Sequence, residues 1–290
     1  MQQQILRFGP AGNSASFYAQ GYKHTEQAPG WLAAMGLSAL EYPGGRSVRL
    51  KEDTARRIGA AARAHGIAVS IHAPYYINLA NPAPERYARN IGYLMESARA
   101  VRAMGGERVV LHVGSDSKAD PSQAFADARA GLRRARRDLI DAGLGDIRLC
   151  PETMGRDGQI GGLDAILRLC EQDDTFIPTV DFAHLHARGR GGLRTAEDFE
   201  AVLRRMAEVL GGARAHGFHA HFCRIEYTGS GEKRHWTFAD TRFGPDFALL
   251  APLLADPVWT PTVICESSGT MAEDACAMRD MVFAARAVHA

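Results

Sequence analysis

Ser70-Ile71-His72-Ala73-Pro74-Tyr75-Tyr76-Ile77-Asn78-Leu79-Ala80 is the stretch on which the fold turns. Residues 68–71 read as a short strand, and His72 stands where it ends. Pro74 then breaks the ladder, because proline has no amide hydrogen to donate. Two tyrosines and an asparagine follow in the loop. A histidine at a strand end, followed by polar and aromatic loop residues, suits a functional rim better than a core. The arrangement recurs along the chain. Short apolar runs end at His112, Glu152, Asp181, His221 and Glu266, all residue types that ligate metals.

Working outward, strands are expected at residues 4–8, 39–42, 68–71, 108–111, 146–150, 176–180, 219–227 and 262–265, with helical sequence between them. Tyr87, Ile91, Leu94, Ala98 and Val101 fall on one helix face. Asp120-Pro121 reads as a cap followed by a first-turn proline, and Thr195 as another cap. Residues 52–65, 163–170 and 247–254 read as further helices, and residues 228–236 as a polar loop. Eight strands alternating with helices predict an α/β fold, a (β/α)8 TIM barrel. Its active site would lie at the C-terminal strand ends. No linker divides the chain, so residues 1–290 are expected to form one domain.

Composition narrows the function. Of 290 residues, 46% are hydrophobic and 23% charged, an ordinary globular balance. No apolar run approaches the ~20 residues that span a bilayer, so no membrane partner is expected. Residues 1–4 lack a signal-peptide pattern. The five cysteines have no CxxC spacing and read as reduced thiols of a cytoplasmic protein. Net charge is only +1, so nucleic-acid binding would need a local patch or metal ions. Arginine outnumbers lysine 30 to 4. The run Arg129, Arg133, Arg134, Arg136 and Arg137 reads as the solvated face of a helix that faces away from the strand ends.

In a closed barrel the ends of strands three to eight ring one cavity. A lone histidine after a strand is commonly a hydrogen-bonded structural residue; six ligand types at six strand ends are a different signal. Three imidazoles and three carboxylates suit Zn, Mn or Fe better than Ca or Mg. Six donors exceed what one tetrahedral ion takes. A bridging carboxylate would then join two or more ions ~3.5–4 Å apart.

SIHAPYYINLA, LHVGS, PET, DFAHLHARG, HFCRIEYTGSGEKRHW and ICES, in that order, resemble the endonuclease IV family of apurinic/apyrimidinic endonucleases. The resemblance implies a zinc-dependent (β/α)8 barrel that cleaves double-stranded DNA 5′ to abasic sites, with two or three Zn2+ ions and Mn2+ as an alternative. Carried over by motif, His72, His112 and Glu152 would hold one zinc. Glu152 would bridge to a second, completed by Asp181, His221 and Glu266, with Glu152 and Glu266 as the catalytic carboxylates. His184 and His235 would serve a third. Tyr75 and Arg46 would contact substrate, while Tyr76 and Asn78 would support the loop. No obligate protein partner is implied. One position departs from the pattern: Lys233 stands where the family's third zinc takes an aspartate. Either Glu226 or Glu232 would replace it from the same loop, or the third site would be weak or empty. His219 competes with His221, since both point to one strand face.

Two other readings fit part of this sequence. A sugar isomerase or epimerase on the same barrel would use one divalent ion held by Glu152, Asp181, His221 and Glu266. His72, His112, His184 and His235 are surplus to such an enzyme. A non-catalytic binding barrel would keep its metals without turnover.

Overall fold

The computed structural model describes residues 5–48, 50–115 and 120–289. Gln4, where the first strand was expected to begin, lies outside them. Eight parallel strands form a TIM barrel: β1 (Arg7–Pro10), β2 (Ala39–Pro43), β3 (Ala68–His72), β4 (Arg108–Leu111), β5 (Arg148–Pro151), β6 (Thr179–Asp181), β7 (His219–Phe222) and, after a hairpin of β8 (Arg224–Thr228) and β9 (Gly231–Trp236), β10 (Thr262–Cys265). They pair as two four-stranded arcs, β2-β3-β4-β5 and β1-β10-β7-β6. Parallel bridges Ala11–Glu41 and Glu152–Thr179 close the ring at its two seams.

The helices form where caps and periodicity predict them. Asp120 accepts from the amides of Ser122 and Gln123, at 2.9 and 3.1 Å, and opens Pro121–Asp141. Thr195 opens Ala196–Leu210 with a capping box. Leu163–Cys170 and Phe247–Leu254 match the expected bounds. In the arginine run, positions 129, 133, 134 and 137 are exposed, whereas Arg136 is buried and donates to the carbonyls of Gly145 and Ile147. Two expectations need correction. The seventh strand stops at Phe222 rather than Tyr227, and the expected polar loop to His235 and Trp236 is strand β9. The period-2 pattern runs on through Cys223 with no glycine or proline to mark the break, so pattern alone could not divide β7 from β8.

Side-chain alternation explains what the strands deliver. Val109, Leu111, Leu149, Val263 and Cys265 belong to the large core, as do the buried faces of the helices. The opposite set faces the barrel axis in layers. Ser70, Arg108 and His219 lie low, Val110, Cys150 and Ile177 form a small apolar cluster of their own, and His112 and Glu152 come at the top of their strands. The top layer carries the candidate site. Among the described residues no helix is long and apolar enough to cross a membrane.

Candidate metal centre

Glu152 is the hub. It directly follows β5 with its side chain 1% exposed, and four imidazoles lie around its two oxygens. His72 Nε2 and His112 Nε2 each lie 3.1 Å from Oε2, while His221 Nδ1 lies 3.0 Å and His184 Nδ1 3.5 Å from Oε1. His221 Nδ1 is also 3.6 Å from Glu266 Oε1. Donors bound ~2.0–2.2 Å from one ion would sit roughly 3–3.5 Å apart, so the spacings of His72, His112 and His221 match the edges of a coordination polyhedron, while His184 Nδ1 donates to the Thr153 carbonyl at 2.9 Å and leaves Nε2 as its free nitrogen.

Two observations test whether the residues fit a metal. First, His72 Nδ1 lies 2.7 Å from the Ala73 carbonyl and His112 Nδ1 3.0 Å from the Tyr75 carbonyl. A carbonyl only accepts, so the hydrogen belongs on Nδ1 and the lone pair of Nε2 points at the cluster. Second, Asp181 caps the helix Phe182–Arg188 by accepting the His184 amide on Oδ1 at 2.7 Å. Its other oxygen, Oδ2, is buried and makes no hydrogen bond; it faces His184 Nδ1 at 3.2 Å, whose hydrogen goes to the Thr153 carbonyl. A buried carboxylate oxygen without a hydrogen bond is costly unless a cation faces it. Ligand atoms of His72, His112 and Glu152 lie within 4.8 Å of one another, and so do those of Glu152, Asp181, His221 and Glu266. Both groups could hold a metal ion.

The charges agree. Burial works against ionisation of Glu152, but His221 and the hydrogen bonds from His112, His221 and His72 hold its carboxyl well below the usual range. Burial likewise opposes charge on His72, yet Glu152 raises it to about 9; Asp181 and Glu232 raise His184 to about 9. Burial pushes Asp181 up. With no metal bound, His72, His184 and His221, all raised by the surrounding carboxylates against the effect of burial, supply counter-charge to this acidic cluster.

His184 and His235 meet at ring centroids 5.7 Å apart, and His235 Nδ1 lies 3.8 Å from Glu266 Oε2. The two acids open to replacement of position 233 now separate. Glu226 Oε1 pairs with Lys233 Nζ at 2.5 Å, and its Oε2 accepts from Trp236 Nε1 at 3.3 Å. Glu232 instead faces the site, with Oε2 3.1 Å from His184 Nε2 and 3.2 Å from the Gly155 amide. A register shift between Glu226 and Tyr227 leaves Lys233 as the extra residue of the hairpin. Such a bulge breaks the alternation, turning Lys233 outward and setting Glu232 on the face of His235. Gly231 allows this approach: at φ +95° it passes so close to the Gly155 carbonyl that a Cβ would lie 2.0 Å from that oxygen.

The remaining candidates fall into place around the rim. Tyr75 is 53% exposed, and Arg46 is exposed on the loop after β2. Tyr76 donates to the Arg46 carbonyl and packs edge-on against Tyr93 at 5.1 Å, joining the two loops. Asn78 Oδ1 accepts the Ala80 amide at 3.0 Å, a turn-forming bond. His186 is buried against Leu193, away from the cluster. His221 reaches the centre, while His219 lies one layer below and faces Glu41 at 3.0 Å. Glu41 was missed in the sequence. Its signal is a carboxylate inside the apolar run of β2, two residues before the strand ends.

Residues 29–281 match the xylose isomerase-like TIM barrel family. An uncharacterized protein of Methanocaldococcus jannaschii is 31% identical over 236 residues, covering 81% of this chain and 84% of that one. A probable endonuclease 4 of Listeria monocytogenes is 27% identical over 204 residues, covering 67% of this chain and just under two thirds, 66%, of that protein. Among solved structures, endonuclease IV from Thermus thermophilus superposes with a TM-score of 0.69 at 20% identity, covering 98% of this chain and 100% of that one. D-psicose 3-epimerase from Clostridium cellulolyticum superposes at 0.66 with 13% identity, covering 97% and 99%. At these identities the superpositions establish the fold and leave the chemistry to the site.

Proposed function

The chain belongs to the xylose isomerase-like TIM barrel family, and we propose that within it the protein is a metal-dependent phosphodiester hydrolase of the endonuclease IV type, cleaving DNA 5′ to abasic sites in base-excision repair. One observation carries the reading. His72 and His112 meet the same carboxylate, Glu152, that also joins Asp181, His221 and Glu266. Two donor sets sharing a carboxylate suit two neighbouring ions. A pair of ions suits in-line phosphoryl displacement, in which the attacking and leaving oxygens both need stabilising. The alignment with a probable endonuclease 4 supports the same class.

Bound divalent ions, zinc with manganese as the alternative, would acidify a water and offset charge on the phosphate oxygens. The chain's own residues would do the rest. His72, His112 and Glu152 would hold one ion, and Asp181, His221 and Glu266 a second, with Glu152 shared. His184, His235 and Glu232 would serve a third. Glu266, whose side chain is 17% exposed against 1% or less for Glu152 and Asp181, is the acid that meets substrate and exchanges protons there. Tyr75 and Arg46 would contact the duplex beside the lesion.

A second reading has its own observation. The group Glu152, Asp181, His221 and Glu266 is complete in itself for one ion. The two glutamates could then move protons beside a sugar carbonyl, as in an isomerase or epimerase. Metal counting separates the two. Elemental analysis of the purified protein should give at least two zinc or manganese ions per chain, and the protein should nick a duplex carrying a tetrahydrofuran abasic analogue. Glu152→Gln weakens both ions at once, so nicking should fall by several orders of magnitude with the barrel still folded. One ion per chain and no nicking would transfer the assignment to the sugar enzymes.

A further inference from the structure

Below the metal centre lies a buried polar chain that the proposed chemistry does not use. Glu41, on β2, is 0% exposed. Its Oε2 accepts from Ser70 Oγ at 2.7 Å and lies 3.0 Å from His219 Nε2. The other nitrogen of His219, Nδ1, lies 3.5 Å from Arg108 Nη1. A guanidinium only donates, so His219 accepts at Nδ1 and carries its hydrogen on Nε2, aimed at Glu41. Glu41 Oε1 is left facing His221 Nε2 at 2.9 Å. That contact is too bent to count as a hydrogen bond, yet both atoms are buried and neither has another partner among the described residues.

We infer that Glu41 is a positioning residue for the metal centre, holding His221 with its hydrogen on Nε2 so that Nδ1 is the nitrogen offered to the ion shared with Glu152, Asp181 and Glu266. The inference rests on the reading of this centre as metal-binding and adds the device that orients one of its ligands. Both ring nitrogens face carboxylates, which only accept, so metal-free His221 carries a hydrogen on each, Nε2 toward Glu41 and Nδ1 toward Glu152 Oε1, 3.0 Å away. An ion seated among Glu152, Asp181 and Glu266 would displace the hydrogen on Nδ1, and Glu41 favours keeping the one on Nε2. His72 and His112 do the reverse, donating Nδ1–H to backbone carbonyls and presenting Nε2. The difference has a structural cause. His221 sits lower and deeper, at 0% exposure, where no loop carbonyl among the described residues hydrogen-bonds to it and a strand side chain supplies the acceptor. A charged acceptor also makes the imidazole a stronger donor to a cation than a carbonyl would.

Ligand atoms of Glu41, His219 and His221 also lie within 4.8 Å of one another, so the trio could in principle hold an ion itself. The donors already on Glu41 Oε2 argue for the positioning role instead. The test uses the full chain and Zn2+. Competition against a chromophoric chelator should show Glu41→Gln binding one of its zinc ions about 10–100-fold less tightly than wild type. Glutamine keeps the size of the side chain but turns one acceptor into a donor. Long-range 15N–1H correlation spectra of histidine-labelled wild type, stripped of metal at a pH where His221 is neutral, should show the hydrogen on Nε2. The glutamine variant should show a mixture, and Glu41→Asp should restore the wild-type pattern. Wild-type zinc affinity in folded Glu41→Gln, a hydrogen on Nδ1 of His221 in wild type, or anomalous scattering from an ion between Glu41, His219 and His221 would each overturn the inference. The wild-type spectrum decides even if the variant does not fold. Failure to nick DNA would touch only the assigned reaction, since every readout here is made without DNA.

Discussion

At the scale of single residues, the centre is a competition between protons and cations for the same lone pairs. His72 and His184 stand at about 9, raised from 6.5 against the opposing effect of burial. A group whose folded value is raised binds its proton more tightly folded than unfolded. Its stabilisation is fully present below pH 6.5 and is lost as pH rises through about 9. Glu152 has the opposite sign: its carboxyl is depressed, so its contribution is present above 4.5 and lost as pH falls through the folded value. Metal reverses the upper limb, because ligation displaces the imidazole protons and strengthens as they become easier to remove. The chelated protein should therefore lose melting temperature between pH 6.5 and 9, while the increment from added zinc grows over the same interval. Calorimetry with and without zinc checks this. A zinc increment that shrank toward pH 9 would count against histidine ligation.

At the scale of elements, the strand-end loop and the β8–β9 hairpin do different jobs. The loop after β3 uses the Tyr75 backbone to hold His112 while the Tyr75 ring projects into solvent. Tyr75→Ala keeps the carbonyl, so metal content should be unchanged. Affinity for abasic duplex should fall several-fold more than affinity for undamaged duplex, as measured by anisotropy, because a displaced base or an emptied stack is where a rim aromatic gains most. Equal losses on both duplexes would make the ring structural. In the hairpin, the bulge decides which acid serves His184 and His235. Lys233, 56% exposed and tied to Glu226, points away from the centre, so Lys233→Asp should change metal content little. Glu232→Gln should instead remove the third ion and leave two, as read by elemental analysis. This is also where the sequence was hardest to read. Strict alternation puts Lys233 beside His235 and Glu232 on the far face; one extra residue in β9 exchanges them, and the nearest glycine, Gly231, reads from sequence as part of the hairpin turn and not as the mark of a bulge.

At the scale of the whole molecule, the parts of the site that could be read from sequence are those the barrel makes local. Strand ends converge in any closed barrel, so His72, His112, Glu152, Asp181, His221 and Glu266 could be grouped before any distance was known. Glu41 could not, because its partner His219 is 178 positions away and meets it only through the closure of β1 on β2. The whole-molecule charge leads to the last prediction. At a net +1 the chain as a whole offers little attraction to a polyanion, and the arginine run 129, 133, 134 and 137 is exposed on a barrel helix and not on the strand-end loops. Binding must then come from the metal centre, Arg46 and a few neighbours at the rim. Each neutralised phosphate contributes about −0.9 to the slope of log affinity against log salt, so two to four contacts give a slope of roughly −2 to −4. Chelation should lower affinity for abasic duplex at every salt concentration, because it removes cations that meet the phosphate directly. A slope near −8, or affinity indifferent to chelation, would mean that the duplex is held by a surface other than the strand-end face.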